Sequence, residues 1–267
     1  MCLRQKELVR SHLVSRKAHE YCDREGHNPI VLTRGTLMAS DRQIQHPLLC
    51  FDCEQILNFE GENWCVDKLA TFEKTFPLYD LVAKGHPVAA NGTTIYFVRD
   101  VPEVETEKII HFGMGMFWKA AVHSWEGGTT DPRIDLGPYA EPIRAWLRGE
   151  SSFPRHCYLV VNIAPPERAQ IGLFAPYLAE KKSWHVYYVY VPGLLFMLNV
   201  GRRVGDGPKT LCLSNNPDRP ILSSGNLLDE FDMASKEQLL GAKRTRSFLR
   251  AMDKVAKERG VTFKRSS

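Results

Sequence analysis

Apolar positions along this chain change texture three times. Over roughly residues 1–64 they are sparse, and the segment is polar and rich in Cys and His. That is how a module looks when a metal ion substitutes for part of a core. Residues 66–83 carry loosely spaced apolar positions that predict helix. In 105–125, Ile109, Ile110, Met114, Phe117, Ala121 and Trp125 recur at helical spacing and predict a central buried helix. Gly137-Pro138 then opens an amphipathic piece over 139–147, and Arg148-Gly149 closes it in the manner of a helix end.

After Phe153-Pro154 the period shortens. Residues 158–163, 170–174, 184–191, 194–200 and 209–213 are short, β-branched or aromatic, and separated by Pro or Gly. Pro192-Gly193 reads as a hairpin corner. Consecutive strands with no helices between them predict an antiparallel meander, curved and packed on the preceding helices. The aromatic run in 184–196 reads as ordinary sheet core rather than a platform for stacking bases, because few basic residues alternate with it. Residues 227–259 return to a helical pattern and become basic through Lys243, Arg244, Arg246, Arg250, Lys254, Lys257 and Arg259. A solvated helix face explains that run more simply than a phosphate-contacting arm. The pattern thus predicts an α+β protein in two parts: a zinc-knuckle module over 1–64, and over 65–267 a helical and antiparallel-sheet domain ending in a basic helix.

Composition narrows the picture further. With 43% hydrophobic and 25% charged residues the chain falls outside the disordered and fibrous classes. No internal repeat, heptad run or low-complexity segment is present. The longest apolar stretch, 186–200, is broken at Pro192-Gly193 and is too short to span a bilayer, and the first residues lack the apolar core of a secretory signal. The expectation is a cytoplasmic protein with no membrane partner. Seven cysteines, an odd number, argue in that compartment against a disulfide framework and for metal ligation or burial. A net charge of +4 permits nucleic-acid contact without requiring it.

The chemistry concentrates in Leu48-Leu49-Cys50-Phe51-Asp52-Cys53-Glu54. A Cys-x-x-Cys spacing lets both thiolates grip one ion from a single tight turn, and a closed tetrahedral zinc needs two more ligands. Cys2, His12, His19, Cys22 and His27 are the upstream candidates. Cys65, Cys157 and Cys212 sit among apolar neighbours and read as packing residues. His111, His123 and His156 read as core or surface histidines, and Trp125-Glu126-Gly127-Gly128 lacks phosphate-loop spacing.

Cys2, the run Glu7-Leu8-Val9-Arg10-Ser11-His12-Leu13-Val14 and the run Leu49-Cys50-Phe51-Asp52-Cys53-Glu54 together resemble a family of uncharacterised bacterial proteins with a Cys-x-x-Cys, Ser-His-x-x-Pro, Leu-Cys-x-x-Cys-Glu pattern. That pattern is similar to a variant of the HNH endonuclease ββα-metal module. The resemblance covers the first quarter of the chain and implies a treble-clef-like zinc module at 1–64. It also implies that His12 is the general base, that Cys2, Cys50 and Cys53 are structural zinc ligands, and that Glu54 is a ligand of a catalytic Mg or Mn ion. Gln45 falls where the family's middle Asn stands. Arg10, Arg16 and Lys17 flank the histidine and are candidates for holding backbone phosphates.

This chain departs from the pattern at three places. Ser11 replaces the Asp that binds the catalytic ion, Ser15 replaces the proline, and the first thiol of the first knuckle would lie before Met1, unless Cys22, His19 or another residue completes the zinc shell. Two expectations follow. One is a divalent-metal-dependent hydrolase cleaving phosphodiester bonds of DNA or RNA. The other, which Ser11 favours, is a non-catalytic zinc-containing binding or scaffold protein whose larger domain contacts a protein partner or nucleic acid.

Overall fold

The computed structural model describes residues 1–23, 30–33, 36–39, 43–125, 134–181, 183–224, 229, 241 and 243–258, with backbone alone over 30–33 and 36–39. The chain opens with β1 (Val9–His12) and α1 (Arg16–Cys22), followed by the antiparallel pair β2 (Ile30–Thr33) and β3 (Thr36–Ala39). β4 (Gln45–Leu49) returns alongside β1 in antiparallel register, placing Ser11 opposite His46 and His12 opposite Gln45. Directly after β4 the chain turns into α2 (Phe51–Leu57), with Cys50 as its N-cap. Asp52 and Glu54 in the first turn suit the positive end of the helix dipole. α2 runs without a break into a π-helical turn (Asn58–Glu62) and then α3 (Asn63–Val66).

α4 (Pro77–Val82) begins with proline at its first turn, where the missing N–H costs no hydrogen bond. Helix was expected across 66–83, but only the two ends adopt it. The intervening 67–76 is turn, closed by hydrogen bonds between Thr71 and Thr75 and by Lys74 at φ 61°. The hairpin β5 (His86–Ala90) and β6 (Thr93–Phe97) follows, then the predicted central helix α5 (Thr106–Val122), a 3-10 turn (Gly137–Tyr139) and α6 (Ala140–Leu147).

β7 (Cys157–Ile163), β8 (Phe174–Lys181), β9 (His185–Val191) and β10 (Leu194–Val200) complete most of a sheet whose order is β5-β6-β11-β7-β10-β9-β8. As expected, Pro192 and Gly193 make the β9–β10 corner, with Gly193 at φ 83° in the left-handed region where a side chain is strained. Two strand expectations need correction. The 170–174 segment leads into a strand that starts only at Phe174. Residues 209–213 belong mostly to a helix, α7 (Asp206–Leu211), which Gly205 caps and an Asp206–Lys209 pair supports. The sheet is also mixed rather than wholly antiparallel. After α7 the chain crosses back as β11 (Pro220–Ser224) and meets β7 in parallel, Leu222 opposite Asn162. β12 (Lys243–Arg244) joins β3, and α8 (Arg246–Glu258) carries part of the predicted basic helix. The rest of 227–259 lies largely outside the described residues.

Buried residues from both parts of the chain form one cluster, in which Leu13, Leu49, Cys53 and Leu57 join Phe117, Leu159 and Phe196. Fully burying each such side chain contributes roughly 1.5–3 kcal/mol. α5 lies at its centre, buried from Ile109 to Ala120. Two glycines set how closely its neighbours approach. A Cβ on Gly113 would meet Phe196 Cδ1 of the sheet at 2.6 Å, and a Cβ on Gly61 of the π turn would meet the Phe112 backbone N at 2.6 Å. The π turn therefore presses directly on the α5 backbone, which fixes where Glu62 emerges. No helix among the described residues is long and apolar enough to cross a membrane.

Candidate functional site

Three sulfurs meet at the start of α2. Cys50 caps the helix, Cys53 occupies its first turn, and Cys2 arrives from the N-terminal segment. The three Sγ atoms lie within 4.8 Å of one another, with Cys2 and Cys50 3.7 Å apart. A tetrahedral zinc holding thiolates at its usual bond length spaces their sulfurs about 3.8 Å apart, so the group can hold such an ion with little movement. A hydrogen bond from the Arg4 backbone N–H, acting against some desolvation, brings the Cys2 thiol down to about 7. Burial pushes Cys53 up to about 11. A cation would draw all three to the thiolate form.

Helix α6 closes over this group. Arg148 Nη1 donates to Cys53 Sγ at 3.4 Å and its Nε to Glu150 at 2.6 Å. Arg144, only 8% exposed, donates to the Met1 carbonyl at 2.9 Å and to Glu141 and Glu150. The N-terminal segment that delivers Cys2 is thus tied to α6 through a buried guanidinium. No fourth His, Cys, Asp or Glu among the described residues joins the three sulfurs. Cys22, whose thiol burial pushes to about 12, and His19 both stand apart from them, and His27 lies outside the described residues.

A second set of polar groups gathers at the end of β1. Successive strand residues face opposite sides, so Ser11 points at α2 and His12 away from it. Ser11, fully buried, donates its hydroxyl to Glu54 Oε2 at 2.7 Å and accepts the Leu49 N–H at 3.3 Å. The half-buried His12 ring is held below the ordinary imidazole value, first by burial and then by the charge of Lys119. Glu62, Glu54 and a Gln43 hydrogen bond oppose the shift. Its neutral form is therefore favoured at neutral pH, as a proton acceptor requires. His19 is driven further, to about 4, by burial and by the neighbouring His12. Lys119, 3% exposed on α5, donates to the His12 carbonyl at 2.6 Å.

Of the residues singled out from sequence, Cys2, Cys50 and Cys53 are brought together, and Glu54 lies close enough to act electrostatically on His12. Arg10 is exposed on β1; Arg16 pairs with Glu20 at 2.9 Å and Lys17 pairs with Asp67. Both pairs are at the surface, where such contacts are weak. Cys65, Cys157 and Cys212 are buried, as expected for packing residues, and His111 is a core residue hydrogen-bonded to the Leu147 carbonyl. Apart from the three cysteines, no set of three or more His, Cys, Asp or Glu donors comes as close together among the described residues.

Sequence reasoning missed Lys119, Glu62, His19 as a neighbour of His12, and Arg148. The only local signal for Lys119 is a cation inside the otherwise uncharged, apolar run from Phe112 to Val122 of α5. No protein-family model, curated protein or solved structure matches this chain.

Proposed function

We propose that this protein is a nucleic-acid phosphodiester hydrolase built on a treble-clef-like zinc module. In it Cys2, Cys50 and Cys53 hold a structural zinc and His12 is the general base. The supporting observation is that the antiparallel pair of β1 and β4 and the helix after it serve both centres. β4 leads into the helix start that carries Cys50 and Cys53, while its partner β1 ends on a histidine whose burial favours the neutral ring.

In the proposed reaction water gives its proton to the His12 ring and attacks phosphorus. The bond to the leaving oxygen breaks, and that oxygen takes a proton from solvent, yielding a phosphomonoester and an alcohol. Glu54 is the proposed ligand for Mg or Mn, which would neutralise charge building on the phosphate. Zinc, when bound, supplies folding energy rather than chemistry. The purified protein should nick plasmid DNA or degrade RNA on addition of Mg or Mn, and His12→Ala should abolish this. Cleavage by His12→Ala at the wild-type rate would reject the mechanism.

One observation favours the non-catalytic alternative, a zinc-stabilised binding or scaffold protein: the Ser11 hydroxyl engages Glu54 where the resemblance leads one to expect an Asp. Such a protein should bind one structural metal and show no cleavage dependent on Mg or Mn.

A further inference from the structure

Lys119 is the least explained charge among the described residues. It sits on the core helix α5 at 3% exposure, and its ammonium has three N–H donors. Among the described residues it has one acceptor, the His12 carbonyl at 2.6 Å, and no paired carboxylate. Taking an ammonium out of water without a counter-charge is costly. Merely pinning the end of β1 to α5 needs a neutral donor, not a cation.

A second, independent observation falls at the same place. His19 Nε2 is buried with no hydrogen-bond partner, and His19 and His12 lie near enough to perturb each other electrostatically. An under-coordinated ammonium and an unpartnered imidazole nitrogen thus flank a half-exposed histidine. The ammonium, with N–H donors to spare beside His12, is short of an acceptor oxygen such as a phosphate carries. Glu62 and Glu54 also act on His12, so Lys119 is the cation that offsets their charge where a phosphate would sit.

We propose that Lys119 binds a non-bridging oxygen of a nucleic-acid phosphodiester and so sets the scissile phosphate beside His12. This rests on the hydrolase reading for its catalytic consequence, but the phosphate contact itself can be tested without turnover. Binding of a fluorescently labelled single-stranded oligonucleotide is followed by anisotropy across a salt series with no Mg or Mn added, so that the strand is not cleaved. Wild type, Lys119→Gln and Lys119→Arg are compared, with zinc content and near-UV dichroism recorded for each. Gln keeps a donor for the His12 carbonyl and so preserves the pin.

A charge-assisted hydrogen bond to phosphate corresponds to roughly tenfold in affinity, and that loss is expected for Lys119→Gln. Its salt slope should also fall by about 0.7, one contact on a single strand. Lys119→Arg should stay close to wild type, and zinc content should be unchanged throughout. Equal affinity and slope in wild type and Lys119→Gln, or absence of binding by wild type, would overturn the proposal. Loss of affinity in Lys119→Gln alongside undiminished cleavage by His12→Ala would reject the hydrolase mechanism and leave the phosphate contact standing.

Discussion

Ser11 and Glu54, 43 residues apart, are joined by a 2.7 Å hydrogen bond from the serine hydroxyl to the carboxylate. The same hydroxyl accepts the Leu49 N–H, so one buried oxygen links β1, β4 and α2. The residue before the proposed base therefore serves the fold of the module, and it orients the carboxylate proposed to meet a divalent ion.

This pairing makes Ser11→Asp informative. A second carboxylate aimed at Glu54 repels it when no cation is present, so the variant should be less stable than wild type to urea. Mg or Mn should restore that stability in the variant and raise that of wild type much less, because two carboxylates hold a hard ion more tightly than Glu54 alone. A urea midpoint for Ser11→Asp that does not respond to either ion would show that the two side chains are not disposed to share one.

Gly61→Ala should be strongly destabilising. Its Cβ would lie 2.6 Å from the Phe112 backbone N and 3.0 Å from Phe112 Cα, and backbone cannot move aside as a flexible side chain can. A loss of about 2 kcal/mol or more is expected, read from denaturant midpoints. Wild-type stability in this variant would contradict the close packing of the π turn on α5.

The histidines give the fold an acid sensitivity of definite sign. His19 titrates near 4 in the folded chain against an ordinary value of 6.5, so folding favours its neutral form. That stabilisation is complete above 6.5 and is lost as pH falls from there through about 4. It amounts to at most about 3 kcal/mol. His12, lowered in the same direction, adds to the loss. His19→Gln should flatten the fall in urea midpoint between neutral and mildly acid pH. An unchanged slope would show that His19 is not the group responsible.

Much of this was legible in the sequence, and the failures have physical causes. The Cys50–Cys53 spacing and the helical run from Ile109 are local signals, and both mark real features. The β5–β6 hairpin went unread because His86, Pro87, Val88, Ala89 and Ala90 are all exposed, so no alternation of apolar and polar positions is imposed on them. Thr210 and Leu211 look like strand residues, but Gly205 and Asp206 start a helix before them. Lys119 and Arg148 could not be assigned from sequence, since their partners, the His12 carbonyl and Cys53 Sγ, lie 107 and 95 residues away. Periodicity reports which face of an element is buried; it does not report what a buried polar group meets there.

Arg148 leads to a prediction about metal affinity. Groups that hydrogen-bond to metal ligands commonly change affinity 10–100-fold when removed. Arg148→Ala should therefore weaken zinc binding by roughly tenfold or more, measured by competition with a chromophoric chelator. Arg148→Lys, which keeps the charge and loses the planar fork, should fall between. Wild-type affinity in Arg148→Ala would show that the guanidinium serves only Glu150.

The central claim is that three sulfurs from separated stretches of chain hold one ion, and that this ion fixes the β1–β4 strand pair carrying His12. Elemental analysis of the purified chain, beside Cys50→Ala and Cys53→Ala variants, tests it most directly. The expected result is one zinc per wild-type chain, a large loss in both variants, and loosening of 9–12 and 45–57 by hydrogen exchange when the metal is removed. A wild-type chain that is fully folded, carries no metal, and shows the same exchange protection in that region with and without added zinc would contradict it.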